Sequence, residues 1–195
     1  MKKSIAIIGE GETEWFYFES LRIARRFPFK LSPGFPQHAD IEHILKLAKA
    51  KLAEHYDYVA CLIDMDRLYE KPAEMHKYQS FKSRKENRDI MFIETNPCTE
   101  FWFLLHFLPD NTIRRYENYD QLITELRKHM PGYEKTKHYF IRTKLYDYLV
   151  ANGSLEQAKL NAERLSRLSK VSPEDRIAFS EIHKVITLLD ELKEI

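Results

Sequence analysis

The sequence predicts an α/β fold, with a mainly parallel sheet over residues 1–110 and a helical extension over residues 111–195 packed on that core. Three observations predict it. Short apolar runs of strand length occur at 4–8, 58–63 and 90–93, and stretches with apolar residues at helical spacing separate them. Beyond about residue 110 the strand signal fades while helical patterns continue. A length of 195 residues suits one folding unit with a sizeable core, or a core with a modest appendage.

Residues 4–8 read as a buried strand and 14–27 as the helix after it. Residues 29–31 are the next candidate strand, ended by the breaker Pro33-Gly-Phe-Pro36, which makes one β-α-β unit. Asp40 is suited to cap a helix running to about His55, in which Ile41, Ile44, Leu45, Ala48 and Leu52 share one face. The run 58–63 is nearly all apolar, as a parallel strand covered on both faces requires. Residues 70–88 are charged and predict a loop and a helix before the strand 90–93. Asn96-Pro97 reads as a helix cap with proline at the first helical position, leading into the apolar Phe101-Trp-Phe-Leu-Leu105. Helices are then expected near 118–130, 139–151, 155–169 and 177–193, and no repeat of fixed period is present. The alternation fits a Rossmann-like core.

Composition narrows the function classes. Hydrophobic residues at 44% and charged residues at 31%, with five glycines and eight prolines, describe a folded soluble chain. Lys and Arg (31) nearly balance Asp and Glu (30), so any basic surface must be local. Cys61 and Cys98 stand in apolar surroundings without paired spacing, which predicts buried thiols in a reducing compartment and a cytoplasmic location. The apolar run after Met1-Lys-Lys3 is too short for a signal-peptide core. Nothing approaches the about 18 apolar residues of a membrane span, so no membrane partner is expected.

The most informative stretch is Gly9-Glu-Gly-Glu-Thr-Glu14, where a strand-like run ends in glycines and three glutamates. It is not a dinucleotide fingerprint, because Glu14 replaces the last glycine and the acids would repel phosphate without a bridging cation. A phosphate-loop nucleotidase is excluded by the missing lysine and Ser or Thr after the glycines. One reading needs no chemistry: Thr13 caps the following helix and the glutamates complement its positive end. The other adds Asp64 and Asp66, which end a second apolar run. In an open α/β sheet the strand ends converge, so Glu10 and these aspartates could share a cation there. Hard carboxylate oxygens suit Mg²⁺, with Mn²⁺ as a substitute, and the scattered histidines and cysteines form no zinc motif.

With these motifs in place, the chain resembles the RloB-like family, a bacterial group related to the TOPRIM domain of topoisomerases, primases and nucleases. The matching residues are Gly9-Glu-Gly-Glu-Thr-Glu14 with its following aromatics, Leu62-Ile-Asp-Met-Asp-Arg67, and Asn96-Pro-Cys-Thr-Glu-Phe-Trp-Phe-Leu-Leu-His-Phe107, with Gly132-Tyr-Glu-Lys135 as a weaker fourth. The resemblance implies a TOPRIM-like core in which Glu10 acts as general acid or base and Asp64 and Asp66 hold Mg²⁺. Glu14 is a further metal candidate, ranked above Glu12, and either could instead polarise the helix end. Glu100 either faces the acidic crevice as an additional ligand or bonds backbone amides near its helix start. His106 is expected in a hydrogen-bonded core role and Cys98 as a packed thiol.

The resemblance also implies phosphodiester chemistry, with hydrolysis of DNA or RNA favoured over strand passage, since this short chain has no sign of gate domains. Lys135 is the candidate electrostatic helper at the scissile phosphate. Nucleic-acid contacts are expected from two local clusters, Lys82, Arg84 and Lys85, and Lys137, Arg142 and Lys144 with aromatics between them. The competing reading of both is an ordinary solvated surface. Family members are associated with restriction or phage-defence loci, often beside an ATPase gene, which implies an ATPase partner. Homo-oligomerisation stays open. Two other classes are a noncatalytic regulatory or assembly module and a receiver-like phosphoacceptor domain, the second opposed by the Asn96 to Phe107 motif.

Overall fold

Strand β1 (Ser4–Ile8) is buried on both faces, with Ile5, Ala6, Ile7 and Ile8 at most 1% exposed, and it takes an interior place in the sheet. The structure is a computed structural model and describes residues 3–28, 30–37 and 40–193. β1 pairs in parallel with β2 (Lys30–Gly34) on one side and β3 (Tyr58–Asp64) on the other; β3 pairs in parallel with β4 (Ile90–Asn96), and β5 (Phe179–Ser180) closes the sheet antiparallel to β4. The order β2-β1-β3-β4-β5 makes the carboxyl ends of β1 and β3 neighbours. That edge is where ligands bind in open α/β sheets.

Helix α1 (Glu12–Arg25) connects β1 to β2, and α2 (Ile41–Ala53) connects β2 to β3. The Asp40 carboxylate accepts from the His43 amide at 3.1 Å, as its sequence position predicts, and Ile41, Ile44, Leu45 and Ala48 are buried. Phe29, part of the predicted second strand, lies outside the described residues. Pro33 and Gly34 do not stop that strand; they belong to it, because β2 is an edge strand with one unpaired side that tolerates proline. Two helices, α3 (Met65–Glu70) and α4 (Pro72–Lys82), fill the charged segment before β4.

β4 runs three residues beyond the predicted strand, to Asn96, and this revises the reading of the next segment. Asn96 is not a helix cap. Its peptide bond to Pro97 is cis, α5 (Glu100–Leu105) begins later, and the Asn96 amide donates to the carbonyls of Arg176 and Ile177 at 3.2 and 2.8 Å. All six residues of α5 are buried.

The remaining chain forms α6 (Tyr119–Leu126), α7 (Lys137–Thr143), α8 (Leu145–Asn152), α9 (Leu155–Val171) and α10 (Ile182–Lys193). Two expectations are corrected here. The single helix predicted over 139–151 is broken at Lys144, whose φ of 52° is left-handed and ends one helix before the next begins. The helix predicted over 177–193 starts only at Ile182, because Phe179 and Ser180 pair with Asn96 and Thr95. Gly153 has a tertiary reason: a Cβ there would lie 2.8 Å from both the Cβ and the carbonyl oxygen of His106. Among the described residues no helix is long and apolar enough to cross a membrane.

The two bonds from the Asn96 side-chain amide tie the far end of the chain to β4, so Asn96→Ala leaves the buried Ile177 carbonyl and the part-buried Arg176 carbonyl short of a donor. A loss of about 1–3 kcal/mol in unfolding free energy is expected, read from urea denaturation.

Candidate active site at the carboxyl ends of β1 and β3

Glu10 follows β1, and its Oε1 accepts from the Asp64 backbone amide at the end of β3, at 3.0 Å. Its Oε2 faces Arg67 Nη1 at 3.8 Å, and Arg67 also reaches Glu74 at 3.5 Å. Glu14 sits in the first turn of α1, buried, and its Oε2 accepts from the Gly11 amide at 2.9 Å. Gly11 is therefore the N-terminal cap residue. Thr13, the cap expected from sequence, is buried inside the helix with its hydroxyl unpaired. Glycine is required at position 9 because a Cβ would fall 2.4 Å from Glu14 Cβ and 2.8 Å from its Cγ.

The Thr99 hydroxyl joins the cluster from the turn before α5, donating to Asp64 Oδ1 at 3.4 Å and lying close enough to Glu14 to oppose the rise of its carboxyl. Asp66 accepts from the Arg67 amide at 2.6 Å, and its own amide donates to the Pro97 carbonyl at 3.3 Å. Glu10, Glu14, Asp64 and Asp66 thus lie at one edge of the sheet and act on one another electrostatically. Glu12 points outward and is exposed.

Burial is the main force on these acids. It raises Glu10 from its ordinary 4.5 to about 7, with Glu14 and Asp66 adding to the rise and the Asp64 amide and Arg67 opposing it. Burial followed by repulsion from Glu10, Glu14 and Glu100 holds Asp64 well above the usual carboxylate range, against the pull of Lys135. Glu14 and Asp66 are raised as well, again first by burial.

This donor set is all oxygen and suits a hard cation. Among the described residues no three His, Cys, Asp or Glu side chains converge into a ready-made metal cage. Mg²⁺ does not require one, since it commonly keeps several waters and takes one or two carboxylates from the protein. Among the described residues the acids do not form a closed chelate, and an ion held here would need water to complete its shell.

Glu100 is fully buried and close enough to the acidic cluster to raise both Asp64 and Glu14, while its hydrogen-bond partners are side chains. Its Oε1 accepts from the hydroxyls of Tyr133 and Tyr119 at 3.0 and 3.2 Å and meets Lys135 Nζ at 3.3 Å. Its Oε2 is buried without a partner. Lys135 also lies 5.5 Å from the Tyr119 ring centroid. Burial works against the Lys135 charge, but Glu100, Asp64 and Glu14 outweigh it and hold the ammonium above its ordinary range. Arg67, Thr99 and Tyr119 are site residues that the pattern reading missed. Arg67 and Thr99 stand inside the quoted motifs, whereas nothing local marks Tyr119.

His106 has the core role expected of it. Its Nδ1 lies 3.0 Å from the Trp102 carbonyl, and burial pushes it down to about 4, so the ring is neutral at physiological pH. Cys98 is a buried thiol raised well above its ordinary range, first by burial and then by Glu100 and Asp64.

The two basic clusters separate. Arg84 and Lys85 follow α4 and lead into the amino end of β4, so they lie toward the opposite edge of the parallel sheet from Glu10 and Asp64. Lys82 is committed to Glu94 at 2.5 Å. The solvated-surface reading suits these three, and they are not brought to the acidic cluster. Lys137 and Lys144 instead line a cavity shared with Glu12, and Arg142 lies 5.9 Å from the Tyr139 ring centroid.

The Glu10 shift has a consequence for stability. A carboxyl raised by folding holds its proton more tightly when folded, so its contribution is complete below about pH 4.5 and is lost as pH rises through about 7. Metal-free protein is expected to lose stability over that window. Glu10→Gln removes part of the loss, seen as a smaller difference in urea midpoint between pH 5 and pH 8.

A family model described as RloB-like protein matches residues 5–189. Searches of curated proteins and of solved structures return no match. The matched segment runs from β1 into α10 and contains every residue of the acidic cluster and its lysine, and the chain accordingly belongs to the RloB-like family.

Proposed function

We propose that this chain is a Mg²⁺-dependent phosphodiester-cleaving enzyme, a nuclease acting on DNA or RNA, with a TOPRIM-like core. The observation that carries the reading is the desolvated cluster of Glu10, Glu14, Asp64 and Asp66 at adjoining strand ends, with Lys135 beside it. Unpaired charges there are costly in the absence of a cation, which is the electrostatic state a metal-dependent site has before loading.

In this reading Asp64, Asp66 and Glu14 hold the ion, and Glu10 serves as ligand and as general acid or base. A bound Mg²⁺ would polarise a phosphodiester oxygen and offset its charge. Burial and the neighbouring acids raise Glu10 to about 7 in the metal-free protein, and a bound cation would lower it again, so that Glu10 would stand as a carboxylate able to accept a proton at neutral pH. Lys135 contributes a fixed positive charge toward a nonbridging phosphate oxygen. Glu100, Tyr119 and Tyr133 hold that ammonium in place; Glu100 is the anchor of the lysine in this scheme.

The biological setting rests on the family resemblance: a cytoplasmic effector of a bacterial phage-defence or restriction-associated system, controlled by an ATPase partner. Buried unpaired Cys61 and Cys98 suit a reducing compartment. The second reading is a noncatalytic regulatory or assembly module that uses the same acidic crevice for binding alone.

Calorimetric Mn²⁺ titration separates the two from a third outcome. Wild type is expected to bind Mn²⁺ and the folded Asp64→Asn/Asp66→Asn variant to lose it; equal binding by both would displace the site. On a substrate found by screening, Lys135→Ala is expected to lower turnover about 10²-fold or more while Mn²⁺ binding persists. Glu100→Gln should share that kinetic loss in part. Metal binding with no cleavage of any DNA or RNA, partner included, favours the noncatalytic module.

A further inference from the structure

A groove of about 630 Å³ runs beside α1, with Trp15 and Phe16 on one wall, Phe140 and Ile141 of α7 on the other, and Phe35 at its border. Its aromatic rings are ordered by contact: Trp15 stands edge-on to Phe16 at 4.8 Å, and Phe16 lies 5.4 Å from Phe140. Ile23 and Ile141 are 58% and 57% exposed, and Phe35 is 38% exposed. Apolar surface of this kind, concave and aromatic, is what a flat π-system buries on binding.

Charge decides which occupant fits. Lys137 and Lys144 line the same groove from the two ends of α7, and among the described residues neither stands in an ion pair. Lys135, two residues before Lys137, is the lysine held at the carboxylate cluster. Three cations therefore mark a path from the cluster along α7. The groove and the cluster also share the first turn of α1, which carries Glu12 on the groove and Glu14 in the cluster. The acids on the walls restrict where a phosphate can lie. Glu19 is held by Arg22 at 2.8 Å, whereas Glu12 and Asp147 line the groove as acids that a phosphate would avoid.

The geometry points to this groove as a base-stacking subsite for an unpaired nucleotide of a single-stranded nucleic acid, whose backbone follows Lys144 and Lys137 toward Lys135 and the carboxylates. It rests on the nuclease reading and deepens it, by assigning single-stranded over duplex substrate and by giving Trp15 a binding role. Stacking on an aromatic side chain is tolerant of base identity, and the lysines contribute salt-dependent attraction to the backbone.

The experiment uses the full chain with chelator present, so that it is independent of metal binding and cleavage. Short labelled oligonucleotides, DNA and RNA, are followed by anisotropy, and the intrinsic fluorescence change is assigned to Trp15 by comparison with Trp15→Leu, in which the fully buried Trp102 is the remaining emitter. Quenching of wild type by single strands is expected, with weaker binding of duplex. Trp15→Leu should weaken single-strand binding at least about fivefold. The exposed pair Lys137→Gln/Lys144→Gln, which leaves the core untouched, should weaken it and flatten the salt dependence. Single-strand binding unchanged in both variants, or no binding at all, overturns the proposal. Concentration-dependent self-association abolished by Ile141→Asp would overturn it in favour of a protein interface. If Mn²⁺ binding fails while single-strand binding responds as expected, the nuclease reading falls and the groove stands; the reverse pattern removes the groove alone.

Discussion

The hydrogen bond from the Asp64 amide to Glu10 joins the ends of two parallel strands through a carboxylate that is largely out of water, and the local structure is arranged around that placement. Gly9 lacks a side chain so that Glu14 can fold across it, and Glu14 in turn occupies the Gly11 amide at the start of α1. Thr99 arrives from the turn after β4 to donate to Asp64. Each of these contacts brings another oxygen toward the same point, which is the reverse of what electrostatics alone favours. A cluster of this kind is stable only because the surrounding sheet and α5 are packed well enough to hold it.

The simpler explanation of the glutamate-rich turn was that its acids complement a helix start. Glu14 does satisfy the Gly11 amide, so that explanation is partly correct at the level of the backbone. It does not account for Asp64, which lies on another strand and whose carboxyl is raised by burial and by Glu10, Glu14 and Glu100 together. A capping acid at a surface has its charge stabilised, whereas these four have it opposed.

Much of the core was legible because its signals are local. The nearly unbroken apolar runs of β1 and β3, the Asp40 cap and the α9 stripe each follow from neighbouring residues. The parts that were not legible depend on partners far away in sequence. Phe179 and Ser180 are a strand only because β4 offers an edge, and Asn96 leaves its expected cap to bond carbonyls 80 and 81 residues away. Lys144 takes a left-handed conformation that no composition rule marks. In the site, the acids announce themselves by clustering at strand ends, but Tyr119 is invisible until Glu100 is seen to be buried beneath it.

That last contact explains why the C-terminal part of the chain belongs to the site as well as to the fold. Glu100 sits in the buried helix α5, yet the three groups that satisfy its Oε1, Tyr119, Tyr133 and Lys135, all come from beyond residue 118. Without them a fully buried carboxylate would face Glu14 and Asp64 with no compensating donor, which burial makes costly. The core and the C-terminal helices are therefore coupled through one carboxylate. Whatever shifts α6 or the 133–135 segment also shifts the Lys135 ammonium, which acts on Asp64 and Glu14 as well as on Glu100.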